Sequence, residues 1–150
     1  MNFEGKILRV IDANINRAKE GLRVCEDIMR LIVGDKDKTD KLKHIRHRIS
    51  KIIKDSKIEI YEVVKYRDSQ LDVGKETKIR SSKKGFPDIF LANSQRVKEA
   101  LRVLEELFCI LDNKTAKRFQ NLRFNFYNVE KECVKKIGHL CNIRCRNLSQ

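Results

Sequence analysis

The chain has 150 residues, enough for one domain whose apolar core needs neither disulfides nor a structural metal. Its 34 Lys and Arg against 21 Asp and Glu give a formal charge of +13, which favours anionic partners without choosing among nucleic acid, acidic lipid and phosphorylated small molecules. No apolar run approaches the roughly 18 residues of a membrane span, MNFEGKILRV lacks the features of a signal peptide, and five cysteines are an odd number for a disulfide framework, so a soluble, cytoplasmic protein without a membrane partner is expected.

One proline and six glycines leave little turn chemistry for a sheet, so long helices are expected. Leu8, Ile11, Ile15, Ala18, Leu22, Cys25, Met29 and Ile32 recur at intervals of three and four, which predicts a first helix from about Phe3 to Val33, capped by Gly34. Thr39 or Asp40 is expected to cap a second helix carrying Leu42, Ile45, Ile49, Ile52 and Ile53. β-Branched residues around 57–64 mark a potential break in it. An irregular stretch follows from about Arg67 to Gly85. Pro87 suits the first turn of a third helix with the stripe Phe90, Val97, Leu101, Leu104, Phe108 and Leu111; Asp112-Asn113 ends it before a fourth helix that reaches about Ile137.

Residues 13–27, ANINRAKEGLRVCED, match residues 92–106, ANSQRVKEALRVLEE, at nine of fifteen positions, where unrelated segments share about one. The offset is a constant 79, and a weaker echo pairs Leu42-Lys-His-Ile-Arg46 with Phe119-Gln-Asn-Leu-Arg123. The expectation is therefore an all-α fold: a four-helix bundle of two tandem, internally duplicated helical hairpins. Hairpin one spans about 3–66, a long crossover loop about 67–85 and hairpin two about 86–137, with a polar, flexible tail at 139–150.

Asn14, Arg17 and Glu20 survive in the second copy as Asn93, Arg96 and Glu99, at the margin of each apolar stripe. Two-fold pairing of the hairpins brings these edges toward a shared cleft, with Gly21 and Ala100 leaving room. Either this is a polar pocket, or the residues form structural ion pairs and fix helix register. Arg23/Glu26 and Arg102/Glu105 are read as outward-pointing structural pairs. Arg46 and Arg123 offer planar forks suited to phosphate, or else buried bridges to Glu20 and Glu99. In the linker, Tyr66-Arg67-Asp68-Ser69-Gln70-Leu71-Asp72-Val73-Gly74 sets two aspartates beside an arginine, which suits Mg²⁺ held against bound phosphates or an ordinary solvated crossover. His44 and His47 lack a carboxylate to complete a metal site, His139, Cys141 and Cys145 lack paired CxxC spacing, and no GxxxxGK[ST], GxGxxG or HExxH occurs.

Over about residues 7–131, RVIDANINRAKEGLRVCED, LKHIRH, YRDSQLDVG and ANSQRVKEALRVLEE followed by RFQNLRFNFYNVEK together resemble a small family of atypical hydroxymethylpyrimidine phosphate kinases of thiamine biosynthesis, found alone or fused ahead of thiamine-phosphate synthase. With no barrel after Gln150, the stand-alone form is expected. The resemblance implies ATP-dependent conversion of 4-amino-5-hydroxymethyl-2-methylpyrimidine phosphate to its diphosphate. On that reading Asp68 and Asp72 hold Mg²⁺ and, with Arg67, carry catalysis. Arg17, Arg96, Arg46 and Arg123 bind phosphates, and Asn14, Asn93, Glu20 and Glu99 contact the pyrimidine or support the arginines. Two other classes stay open: a basic helical module that binds nucleic acid, disfavoured because stacking platforms are not evident, and a non-catalytic docking partner of thiamine-phosphate synthase. A homodimer is compatible with either class.

Overall fold

The structure, a computed structural model, describes residues 3–70, 72–74 and 83–147, and every regular element among them is helical. Helix α1 (Phe3–Asp27) buries Leu8, Ile11, Ile15, Ala18, Leu22 and Cys25, the expected stripe. It continues into a π-helical segment, Ile28–Val33, whose wider winding shifts the side-chain register. Ile28 therefore joins Met29, a member of the expected stripe, in the core, while Ile32, also expected there, is 49% exposed. Gly34 ends the segment in the left-handed region (φ 73°), as its missing Cβ allows, and the Asp35 N–H reaches the Met29 carbonyl at 2.9 Å.

Helix α2 (Lys36–Asp55) starts earlier than expected because Asp35 caps it, its Oδ1 accepting the Lys38 N–H at 3.0 Å. Thr39 and Asp40 lie one turn inside. Ser56 closes α2 by donating Oγ to the Ile53 carbonyl at 2.7 Å, and a short helix, α3 (Ile60–Lys65), packs against α1 through buried Val63. Helix α4 (Phe86–Leu111) has Pro87 in its first turn; Asp112 then caps α5 (Asn113–Asn147) by accepting the Lys114 and Thr115 N–H groups and the Thr115 hydroxyl. That hydroxyl bond is the main cause holding the Asp112 carboxyl below its ordinary pKa. Helix α5 passes through Gly138 without stopping, so the expected tail is helical up to Asn147. Of the expected crossover, Leu71 and residues 75–82 lie outside the described residues.

The four long helices form a bundle in which α1 packs on α2 and α4, and α5 packs on α2 and α4. Phe90, Phe108, Phe119 and Phe126 fill the second half of the core, Phe108 and Phe119 meeting at 5.4 Å between ring centres. The broadest interface is α1 against α4, and Gly21 lies in it against Val97 and Asn93. A Cβ there would lie 2.9 Å from Val97 Cγ2 and 3.0 Å from the Asn93 carbonyl oxygen. A backbone oxygen cannot swing away as a side chain can. Gly21→Ala is therefore expected to destabilise by about 1–2 kcal/mol, overpacking outweighing the better helix propensity. Gly138→Ala meets nothing within 4 Å and is expected to stabilise by about 0.5–1 kcal/mol. Opposite signs in urea denaturation would bear this out; a stabilising Gly21→Ala would refute it.

Candidate functional site

The close approach of α1 and α4 leaves an open groove of about 700 Å³ along their solvent side, within the range of small-molecule sites. Its walls are Asn14, Arg17, Glu20, Gly21 and Val24 on α1 and Asn93, Arg96, Glu99, Ala100 and Val103 on α4. Each residue of the first set has its copy, 79 positions on, in the second. The two walls are thus the two halves of the duplication, on helices that pass one another in opposite directions: Cys25 lies against Phe90 and Ser94, and Gly21 against Asn93 and Val97.

Asn14 and Asn93 are buried at the margin of the seam. Each donates its side-chain amide to the carbonyl four residues back, Asn14 to Val10 at 2.9 Å and Asn93 to Ile89 at 2.8 Å. Arg17 and Arg96 are exposed to the groove and form no ion pair or hydrogen bond with any other described residue. Both guanidiniums are available to an anion in the groove, where a fork of N–H donors matches phosphate oxygens. Glu99 accepts a hydrogen bond from Gln95 at 2.9 Å.

Arg46 and Arg123 are placed differently from the phosphate role expected of them, because neither lines the groove. Arg46 Nε donates to Glu26 at 3.0 Å and Arg123 Nε to Glu105 at 2.8 Å. The carboxylates are not Glu20 and Glu99, as expected of a bridge, nor do Glu26 and Glu105 point outward: they are 3% and 5% exposed. Positions 26 and 105 sit next to the stripe, on the side that faces α2 and α5, so each carboxylate is enclosed and gathers two arginines. Arg23 and Arg102 supply the second at 3.4 Å and 2.9 Å. Arg123 also donates to the Tyr127 hydroxyl at 2.8 Å and lies 4.9 Å from the Phe124 ring centre. The hydrogen bond that Arg123 donates to Glu105 is the main cause raising the Arg123 pKa.

The linker arginine is also engaged. Arg67 grips Asp12 with a fork, Nε to Oδ2 at 2.7 Å and Nη2 to Oδ1 at 2.6 Å, and this bond raises its pKa. Asp12 is 5% exposed and was not singled out from the sequence, although a carboxylate between Ile11 and Ile15 in a core stripe is a signal of a buried partner. Its copy is Leu91, so the anchor exists in one half only. Arg9 adds a bond to the Asp68 carbonyl at 2.7 Å. Asp68 and Asp72 turn their carboxylates onto the N–H groups of Gln70 and Gly74, at 3.2 Å and 2.8 Å. Among the described residues no three His, Cys, Asp or Glu side chains converge as a metal cage. Two carboxylates fit Mg²⁺ when phosphates and water complete its octahedron.

Cys25 and Cys133 are free thiols in the core, pushed up to about 12 by burial and so unreactive at neutral pH. No described helix is long and apolar enough to cross a membrane.

Comparison with known proteins gives the family. The model of the ThiD2 family matches residues 9–132. A thiamine-phosphate synthase of Prochlorococcus marinus is 34% identical over 125 residues, covering 83% of this chain and 34% of the relative. Another, from Rhodopirellula baltica, is 33% identical over 144 residues, 95% of this chain and 38% of the relative. A third, from a Synechococcus species, is 34% identical over 133 residues, 89% and 36% of the two chains. The chain spans little more than a third of the length of these curated relatives, and no solved structure matches it. The duplicated groove, the Asp12-anchored linker and most of α5 all fall within the matched residues, and the chain belongs to the ThiD2 family.

Proposed function

We propose that the protein transfers the γ-phosphoryl group of ATP to 4-amino-5-hydroxymethyl-2-methylpyrimidine phosphate, giving the diphosphate and ADP for thiamine biosynthesis. The observation that carries this reading is the groove, in which two equivalent walls each present an arginine without a partner among the described residues. A reaction between two phosphate-bearing ligands needs two anion sites facing one another.

In the transfer, an oxygen of the pyrimidine's phosphate forms a bond to the γ-phosphorus as the bond from that phosphorus to the β,γ-bridging oxygen breaks, and ADP leaves with that oxygen. The attacking phosphate is already ionised at neutral pH, so no strong base is required. Catalysis then rests on in-line alignment and on neutralising the charge of the two ligands. Arg17 and Arg96 clamp the phosphates from opposite walls. Asn14 and Asn93 shape the ends of the groove, and Glu20 and Glu99 contact the ring or steady the arginines. Mg²⁺, when bound, would supply positive charge to offset that of the phosphates. Asp68 and Asp72 are the residues that would hold it. Arg67 serves as the anchor that keeps this loop on α1, and Arg46 and Arg123 support the walls from behind.

Thiamine-phosphate synthase, the name of the longer relatives, is the partner proposed to consume the product. The direct test is purified protein with ATP, Mg²⁺ and the pyrimidine monophosphate, with ADP and the diphosphate expected in equal amounts. No product at saturating ligand would sink the reading. Asp72→Asn is expected to remove turnover with unchanged helical circular dichroism, and full activity in that variant would take the loop out of the mechanism.

A further inference from the structure

The two walls match in residue type but not in how their carboxylates are committed. Glu99 is held by Gln95, one turn earlier on α4. The copy of Gln95 is Asn16, one methylene shorter, and it does not turn toward Glu20. Its amide lies instead 3.4 Å from Asp12 Oδ1, on the turn before. Asp12 is the cause of the difference, because its copy is Leu91, which offers Gln95 no competing acceptor. The next potential partner, Arg23, is drawn to Glu26 and Asp27 at 3.4 Å and 3.7 Å. Glu20 thus faces the groove with no hydrogen bond or ion pair to another described residue, while its copy is occupied.

We infer that the groove is functionally asymmetric, and that Glu20 accepts a hydrogen bond from the exocyclic amine of a phosphate-bearing aminoheterocycle. The inference rests on the reaction proposed above and says which group of a ligand one wall reads. A carboxylate repels phosphate, so within a groove that holds two phosphorylated ligands it must face their uncharged ends. The donors there are ring amines and, on ATP, ribose hydroxyls, and the amine is the donor that both ligands share. Both the aminopyrimidine and adenine carry one.

The test is isothermal calorimetry on wild type, Glu20→Ala and Glu99→Ala. The probes are the pyrimidine monophosphate, a non-hydrolysable ATP analogue, and the deaminated form of each, with oxygen in place of the amine. Glu20→Ala is expected to weaken one amino ligand about tenfold, the scale of a hydrogen bond to a charged group, and to do so more than Glu99→Ala. Wild type is expected to reject the deaminated form of that ligand by a similar factor, and Glu20→Ala to have lost this discrimination. An effect on the pyrimidine identifies it as the ring read by Glu20; an effect on the ATP analogue identifies adenine. If the two variants weaken both ligands alike, or if Glu20→Ala discriminates against deaminated ligands as wild type does, the inference is overturned while the kinase reading stands. Wild type that binds neither amino ligand overturns both.

Discussion

Arg17→Met and Arg96→Met are each expected to lower kcat/KM by about a hundredfold, the usual scale for removing one charged donor from a phosphoryl-transfer site. Neither variant should lose stability. Neither guanidinium has a partner among the described residues, and methionine keeps the unbranched stem and the helix propensity. The melting temperature is therefore expected to stay within about 2 °C of wild type, the shift that surface changes of a few tenths of a kcal/mol produce. The pairing of lost turnover with unchanged stability is what separates a ligand role from a structural one. A module that bound nucleic acid through its general positive charge would tolerate either change, losing only a small part of its salt dependence. Wild-type turnover in both variants would exclude the groove as the site.

That these two arginines share a groove could be read from the chain alone, because the comparison was internal. A constant offset of 79 pairs Asn14, Arg17 and Glu20 with Asn93, Arg96 and Glu99, and two-fold packing of two like helices brings their like margins to one cleft. The helical hairpins and the Gly34 and Pro87 signals were legible for the same reason: local pattern and local backbone demand agree there. What escaped the reading depended on partners distant in sequence. The burial of Glu26 and Glu105 follows from α2 and α5 covering the flank of the stripe, which an isolated helical wheel does not contain. The carboxylates that Arg46 and Arg123 pair with, Glu26 and Glu105 in place of Glu20 and Glu99, escaped with them. The burial of Asp12 depends on Arg67, 55 residues away, whose guanidinium pairs with it. The π-helical turn at Ile28–Val33 leaves no mark in composition, and it rotated Ile32 out of the core.

The buried triads predict the largest stability effect in the molecule. Glu105→Leu leaves Arg123, whose side chain is 10% exposed, without its carboxylate, and a cost of about 3–5 kcal/mol is expected for stranding an enclosed charge. Arg123→Met should cost less, because Arg102 still reaches Glu105 at 2.9 Å. The same argument ranks the two halves. Arg46 is 20% exposed, so water can take over part of its solvation, and Glu26→Leu is expected to be milder than Glu105→Leu. If the triad acts through charge compensation, adding Arg123→Met to Glu105→Leu restores much of the loss, since an apolar pair replaces an unbalanced one. Urea denaturation of the three single variants and the double variant decides the matter. A double variant no more stable than Glu105→Leu would mean that the triad's shape, not its charge balance, holds α4 to α5. The wall of the groove that carries Arg96 and Glu99 would then depend on side-chain packing behind it.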